Sequence, residues 1–295
     1  MIQQLKRDSF NSLLENCKLC PRECNVNRLA GELGFCKSGA KIKVASSAIH
    51  RGEEPPISGT HGSGTIFFSN CNSQCVYCQN YPISQLGYGT EYSIEEFIKI
   101  LFSLQNKGAH NINLVTPVPY TPMIKEAVYI AKKNGLKLPI IMNILGWESL
   151  YFADLVLDFT DVFLVDVRYA DDQLAEKYSN IKDYVSINKK FLNKIIAEIP
   201  QQKCDKDGII QAGIIIRHLV LPNNLNNSIQ ALRNLKEWFG TEIYISLMNQ
   251  YFPAYKASDY PELNRRLTIE EWTEILTEFK NLGFKNGWIQ EFETD

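Results

Sequence analysis

From Gly64 onward, short apolar runs alternate with amphipathic stretches every few tens of residues. That is the signature of βα units around a parallel sheet, whose doubly covered strands read as near-continuous apolar runs. Strands are predicted over 65–69, 111–115, 139–143, 162–166, 214–221 and 243–248, with a weaker seventh over 287–292. Ser93 and Glu96 form a capping box that opens a helix to about Asn106, and Thr121 with Pro122 places proline at the first position of the next. Further helices are predicted over 183–199, 228–239 and 268–282, the last with Glu270 and Glu271 in its first turn, where the helix dipole favours carboxylates. The class is α/β; an open or partial (β/α) barrel and a doubly wound sheet both satisfy the pattern. Before Gly64 the periodicity lapses into a segment with six glycines and clustered cysteines. Two units are therefore expected, a Cys-rich segment over 1–63 and the sheet-and-helix body over 64–295.

In either architecture, chemistry collects at the carboxyl ends of the strands. Polar or proline-rich ends occur at Asn70 and Cys71, at Thr116, Pro117, Val118, Pro119 and Tyr120, at Asn143, at Asp166 and Arg168, at Arg217 and His218, and at Asn249, Gln250 and Tyr251. The 31 basic and 33 acidic residues leave a net charge of −2, which offers no footprint for duplex nucleic acid or an anionic membrane. Hydrophobic residues at 45% and charged residues at 22% exclude a disordered chain. The first residues lack the apolar core of a signal peptide and no run approaches the ~20 residues of a membrane span, so a cytoplasmic location is expected. In a reducing compartment, eight cysteines are ligands or catalytic groups rather than disulfides. Seven of them lie between Cys17 and Cys78.

Cys71, Cys75 and Cys78 follow the first predicted strand with spacing C-x3-C-x2-C. Three thiolates in so short a loop can wrap one face of a cubane iron–sulfur cluster and leave one iron open for an exogenous ligand. The alternatives are three reduced thiols in a turn, or zinc with Cys204 or a histidine recruited as fourth ligand.

This spacing, with Tyr77 before the last cysteine, resembles the radical SAM superfamily over roughly residues 64–250. Within it, the segments around Gly62–Phe68, Cys78–Ser84 and Ile216–Pro222 are similar to the pyruvate formate-lyase activating enzyme group and relatives with a Cys-rich N-terminal segment. The resemblance implies a partial (β/α)6 TIM-like barrel carrying a [4Fe-4S] cluster on Cys71, Cys75 and Cys78. S-adenosylmethionine (SAM) would bind the open iron and be reductively cleaved to a 5′-deoxyadenosyl radical that takes a hydrogen atom from substrate. It also implies cofactor contacts. Tyr77 borders the cluster, and Thr116 and Pro117 occupy the place of a glycine-rich segment that holds the SAM amino group, here without the glycines. Asn143 and Asp166 face the ribose hydroxyls, and Arg168 faces the methionine carboxylate where lysine is commoner. One of Arg217 and His218 enters the lumen, with His218 favoured. The implied partners are a one-electron donor such as flavodoxin or ferredoxin and a peptide or protein substrate, as for glycyl-radical activases. Radical modification of a small molecule or nucleotide, and a non-catalytic iron–sulfur or zinc module, are the competing readings.

Cys17, Cys20, Cys24 and Cys36 form C-x2-C-x3-C-x11-C, enough thiolates to close a tetrahedral site that stabilises a small segment. Zinc is the expected metal and one auxiliary iron–sulfur cluster the alternative. Glu53 and Glu54 read as a solvated loop leading into the barrel, Cys204 as an incidental thiol, and His50, His61 and His110 carry no spacing signal.

Overall fold

In the computed structural model, which describes residues 11–199 and 201–292, the strands form one sheet whose parallel part runs in chain order. The outer ends of both expected units, 1–10 and 293–295, lie outside the described residues. The strands are β1 (Ile42–His50), β2 (Ser63–Phe68), β3 (Thr90–Tyr92), β4 (Ile112–Val115), β5 (Ile140–Ile144), β6 (Val162–Asp166), β7 (Lys203–Cys204), β8 (Ile210–Leu219), β9 (Tyr244–Met248) and β10 (Asn286–Ile289). Their spatial order is β10-β9-β8-β6-β5-β4-β2-β1-β3, with β7 paired to β8 as a short antiparallel extension. Pairs from β2 through β10 are parallel, whereas β1 runs antiparallel to β2 and β3 antiparallel to β1. A doubly wound sheet reverses strand order at a switch point. No such reversal occurs here, so right-handed crossovers place the helices on one face and the other face curls into a lumen.

The strand residues alternate accordingly. Ile66, Leu114, Met142, Phe163, Ile216 and Ile245 pack outward against Phe97, Val128, Phe152, Phe191, Leu232 and Ile275 of the helices. Each such side chain contributes about 1.5–3 kcal/mol on burial. Inward, Ile141, Leu164 and Ile215 join Ile57, Val162 and Ile210 in a small apolar plug. Two residues further along the same strands, with the same inward parity, come Asn143, Asp166 and Arg217. The lumen thus changes from apolar floor to polar mouth within one pleat.

The capping box of Ser93 and Glu96 opens the helix Ile94–Asn106, and Thr268 with Glu271 forms a second one at Ile269–Leu282. Pro122 lies in the first turn of Thr121–Lys133. The weak seventh strand is real as β10, parallel to β9. Strands β1 and β3 and the short helices Leu150–Val156 and Asp172–Ser179 were not foreseen in the pattern. Because β1 belongs to the Cys-rich segment and pairs with β2 from Val44 to His50, that segment extends the sheet of the barrel.

Candidate active site

The chain leaves β2 through Ser69 and turns sharply at Asn70, whose φ of 67° is left-handed, a conformation that asparagine tolerates. The Asn70 amide fixes the turn by donating to Tyr120 Oη (3.1 Å) and Ser38 Oγ (3.3 Å). The loop that follows is laced to the helix Asp172–Ser179, with Gln74 N donating to Ser179 O (3.0 Å) and Val76 N to Tyr178 O (2.8 Å). Cys71, Cys75 and Cys78 thereby line one cavity of about 860 Å3 at the mouth of the lumen.

Each of the three sulfurs has a hydrogen-bonding group within reach. Ser73 N donates to Cys71 Sγ (3.4 Å), Ser179 Oγ and Arg168 Nη1 donate to Cys75 Sγ (3.0 and 3.1 Å), and Ser84 Oγ lies 3.1 Å from Cys78 Sγ. Burial, reinforced by the neighbouring Cys75, raises the pKa of Cys71 and of Cys78. Deprotonating them calls for added positive charge, which iron supplies. The donor set fits an anionic, thiolate-ligated cluster.

Thr116, Asn143, Asp166, Arg168 and Tyr77 line the same cavity. Thr116 has φ 58°, an outlier for a β-branched residue and worth about 1–3 kcal/mol of local strain. Its amide donates to Asn143 O (2.9 Å), tying the ends of β4 and β5 together. Pro117 is not on the cavity, and its carbonyl already accepts from Tyr120 N (2.8 Å) and Thr121 Oγ1 (3.3 Å) in the turn. Arg168 spans two partners, since Nε and Nη2 donate to Asp166 Oδ2 (3.0 and 2.6 Å) and Nη1 to Cys75. Burial opposes its charge, but Asp166 and Cys75 hold its pKa well above the ordinary value. The Tyr77 hydroxyl sits 2.6 Å from that of Tyr169, which lies 2.7 Å from Ser179 Oγ, so the aromatic ring is anchored behind the loop. Gln250 lines the cavity, whereas Tyr251 is buried against Tyr77 and donates to Leu263 O (2.7 Å).

The choice between Arg217 and His218 resolves opposite to expectation. Arg217 enters the lumen; His218 is fully buried on the helix side, with Nδ1 2.6 Å from Val167 O and Nε2 unpartnered. Burial lowers its pKa to about 4 and keeps it neutral. Glu53 and Glu54, read as a solvated loop, are instead buried on the cavity wall. Glu54 accepts from Arg217 Nε and Nη2 (both 2.6 Å), and Glu53 accepts from Arg217 Nη2 and lies 3.1 Å from His50 Nδ1. Sequence reasoning also missed Glu148, which is 1% exposed and has one oxygen unpartnered. Burial lifts its pKa to about 8. No local spacing marks either feature.

The leader cysteines Cys17, Cys20, Cys24 and Cys36 converge on a second, small cavity together with Arg22 and Asn72. Burial pushes the Cys20 thiol up to about 12, with Cys36, Cys24 and Cys17 adding to the effect. Among the described residues, no group of three or more His, Cys, Asp or Glu side chains is arranged to hold a single metal ion. Cys204 is exposed and lines neither cavity.

The radical SAM superfamily profile matches residues 65–203. An uncharacterized protein of Methanocaldococcus jannaschii, MJ0674, is 30% identical over 281 residues, covering 92% of this chain and 76% of that protein. The chain belongs to the radical SAM superfamily. Its members are enzymes, and membership implies a [4Fe-4S] cluster, SAM and a reductant such as flavodoxin. Radical SAM proteins of known structure share the fold. The [FeFe]-hydrogenase maturase HydG from Carboxydothermus hydrogenoformans matches with a TM-score of 0.51 at 14% identity, over 75% of this chain and 50% of that one. SuiB of Streptococcus suis, in its SAM-bound structure, matches with 0.50 at 9%, over 75% and 48%. This radical SAM chain spans about half the length of those two proteins. Among its described residues, no helix is long and apolar enough to cross a membrane.

Proposed function

We propose that this protein reductively cleaves SAM and uses the resulting radical to take a hydrogen atom from a peptide or protein, in the manner of glycyl-radical activases. The observation that carries this reading is the single cavity of about 860 Å3, in which three buried or half-buried thiols face the polar ends of five parallel strands. Cys71, Cys75 and Cys78 hold the cluster. Bound there, the cluster supplies the electron that opens the sulfonium, and SAM supplies the radical.

The chain's own residues bind, orient and shield. Thr116, Asn143 and Asp166 offer acceptors for an ammonium and a ribose diol at the ends of β4, β5 and β6. Arg168 couples the ribose side to Cys75, and its fork is suited to a carboxylate. Arg217, Glu53 and Glu54 form a charged wall on β8 and the loop after β1, away from the cysteine loop in sequence and suited to a polar backbone or side chain of the substrate. The spacing of the four leader thiols suits zinc as well as an iron–sulfur cluster, although the described side chains are not arranged around a single metal ion.

Anaerobic incubation of the reconstituted protein with SAM and dithionite tests the reading. Release of 5′-deoxyadenosine is expected, with loss in Cys71→Ala, Cys75→Ala and Cys78→Ala. A fully loaded protein that releases none refutes it and favours a module without turnover. Transfer of deuterium from a labelled peptide into 5′-deoxyadenosine checks the substrate class.

A further inference from the structure

The charged lining of the large cavity is uneven. Glu53, Glu54 and Asp166 supply three carboxylates, and Arg168 and Arg217 supply two guanidinium groups. Asp166 and Arg168 pair with each other at 2.6 Å, so the excess lies on the wall around β8, where Arg217 meets both glutamates. His50 stands 3.1 Å from Glu53; with its ring neutral, one guanidinium against two carboxylates leaves that wall a net charge of −1.

The wall is firmly held. Ile57 N and Ser58 N donate to Glu54 O (2.8 and 3.0 Å), and Glu53 N donates to Ser58 Oγ (3.0 Å), which fixes both glutamates at the start of the helix Pro55–Ser58. Every oxygen of the two carboxylates already has a partner, Arg217 for three of them and His50 for the fourth. Burial opposes the charge on Arg217, but Glu54, Glu53 and Asp166 hold its pKa above the ordinary value. Arg217 is nevertheless not fully engaged. Its Nε and Nη2 donate to the glutamates, whereas Nη1 has no hydrogen-bond partner among the described residues. Nη1 is not one of the polar atoms sealed in the interior without a partner, and Arg217 borders the cavity, so these N–H groups open there. In register, Arg217 lies directly beside Asp166 across the β6–β8 pair, one strand from the carboxylate assigned to the ribose.

We propose that Arg217 Nη1 orients the substrate by donating to an uncharged carbonyl oxygen, and that Glu53 and Glu54 bar carboxylates from the same place. The substrate is then a residue within a polypeptide, flanked by amides, rather than a free amino acid, a keto acid or the last residue of a chain. This rests on the reading of the cavity as the site of hydrogen-atom abstraction. An arginine alone in a cavity would favour a carboxylate, which its fork fits. Here two buried carboxylates answer it first, and a further anion would meet like charge where water screens poorly. A peptide carbonyl brings a dipole without net charge and gains the hydrogen bond free of that repulsion. Discrimination of this kind rests on the repulsive element as much as on the attractive one.

The test is binding to the full chain, reconstituted with iron and sulfide and mixed with SAM but no reductant, followed by ligand-observed NMR. Acetylglycine N-methylamide and acetylglycine, a carboxylate at neutral pH, are the matched probes. Wild type should bind the amide at least about tenfold more tightly than the acid. Glu54→Gln removes one negative charge and keeps the shape, so the two probes should approach equal affinity through tighter binding of the acid. Arg217→Lys, which has no second N–H fork left for the carbonyl, should bind the amide at least about tenfold more weakly. Equal or tighter binding of the acid by wild type, binding of neither probe, or an unchanged preference in folded Glu54→Gln overturns the proposal. The wild-type comparison decides the matter if that variant fails to fold. No SAM is cleaved in these measurements, so a separate failure to release 5′-deoxyadenosine with dithionite refutes the radical reading and leaves the measured preference standing.

Discussion

Replacing Arg217 with leucine would leave Glu53 and Glu54, whose side chains are 7% and 5% exposed, without the guanidinium that now holds both. Burial alone would raise the Glu54 pKa, yet the charge and hydrogen bonds of Arg217 hold it below the usual carboxylate range. Removing one partner of a buried ion pair costs about 3–5 kcal/mol. The other groups facing this cluster give little relief. Asp166 brings further negative charge, Ser246 offers Glu54 one hydrogen bond, and His50 reaches only Glu53. In the wild type, Glu54 contributes stability that is present above its unfolded pKa of about 4.3 and lost as pH falls through its lower folded value. In Arg217→Leu the folded pKa moves above about 4.3, so the penalty is full at neutral pH and fades on acidification. Urea denaturation near pH 7 should show the variant about 3–5 kcal/mol less stable, with a smaller deficit near pH 5. Glu54→Gln added to Arg217→Leu should restore part of the loss. A deficit below about 1 kcal/mol at neutral pH, the scale of an exposed pair, or one that does not shrink near pH 5, would refute Arg217 as the compensating charge.

His218→Gln should cleave SAM at close to the wild-type rate, because the ring faces the helices; a collapse of activity with the fold intact would place it back at the mouth. NMR titration of His218 in the wild type should show it neutral until about pH 4. Since its folded pKa is depressed, the stability it confers falls between the unfolded value of about 6.5 and that point. Arg168→Lys replaces a fork that grips Asp166 and Cys75 together with a single point charge. It should retain iron but lose at least about tenfold in SAM cleavage, roughly 1.4 kcal/mol of transition-state free energy, and wild-type turnover would show that the second grip is dispensable. Cys204→Ala, at a thiol that lines neither cavity, should change neither iron content nor turnover, and either change would assign that thiol a role.

The cysteine loop could be read from sequence because its chemistry is local, with three ligands and their turn in eight consecutive residues. The barrel strands were legible for a related reason, as apolar runs long enough to stand out, and the capping boxes fixed two helix starts. The choice at Arg217 and His218 failed because β8 is covered on both faces. Ile214, Ile215 and Ile216 carry no alternation to show which parity points inward. Glu53 and Glu54 looked solvated because their partner lies 164 and 163 residues away, respectively. Strands β1 and β3 were missed because they form the antiparallel edge of the sheet, where short, partly exposed strands lack the apolar density of those within.

The pairing of β1 with β2 determines what can be cut from this protein. A chain trimmed to begin at the first barrel strand would bare the backbone of β2 along six residues, a ready template for strand addition by another copy. The cysteine-bearing leader thus acts as a selvedge that keeps the sheet from unravelling into aggregates, whatever its sulfurs hold.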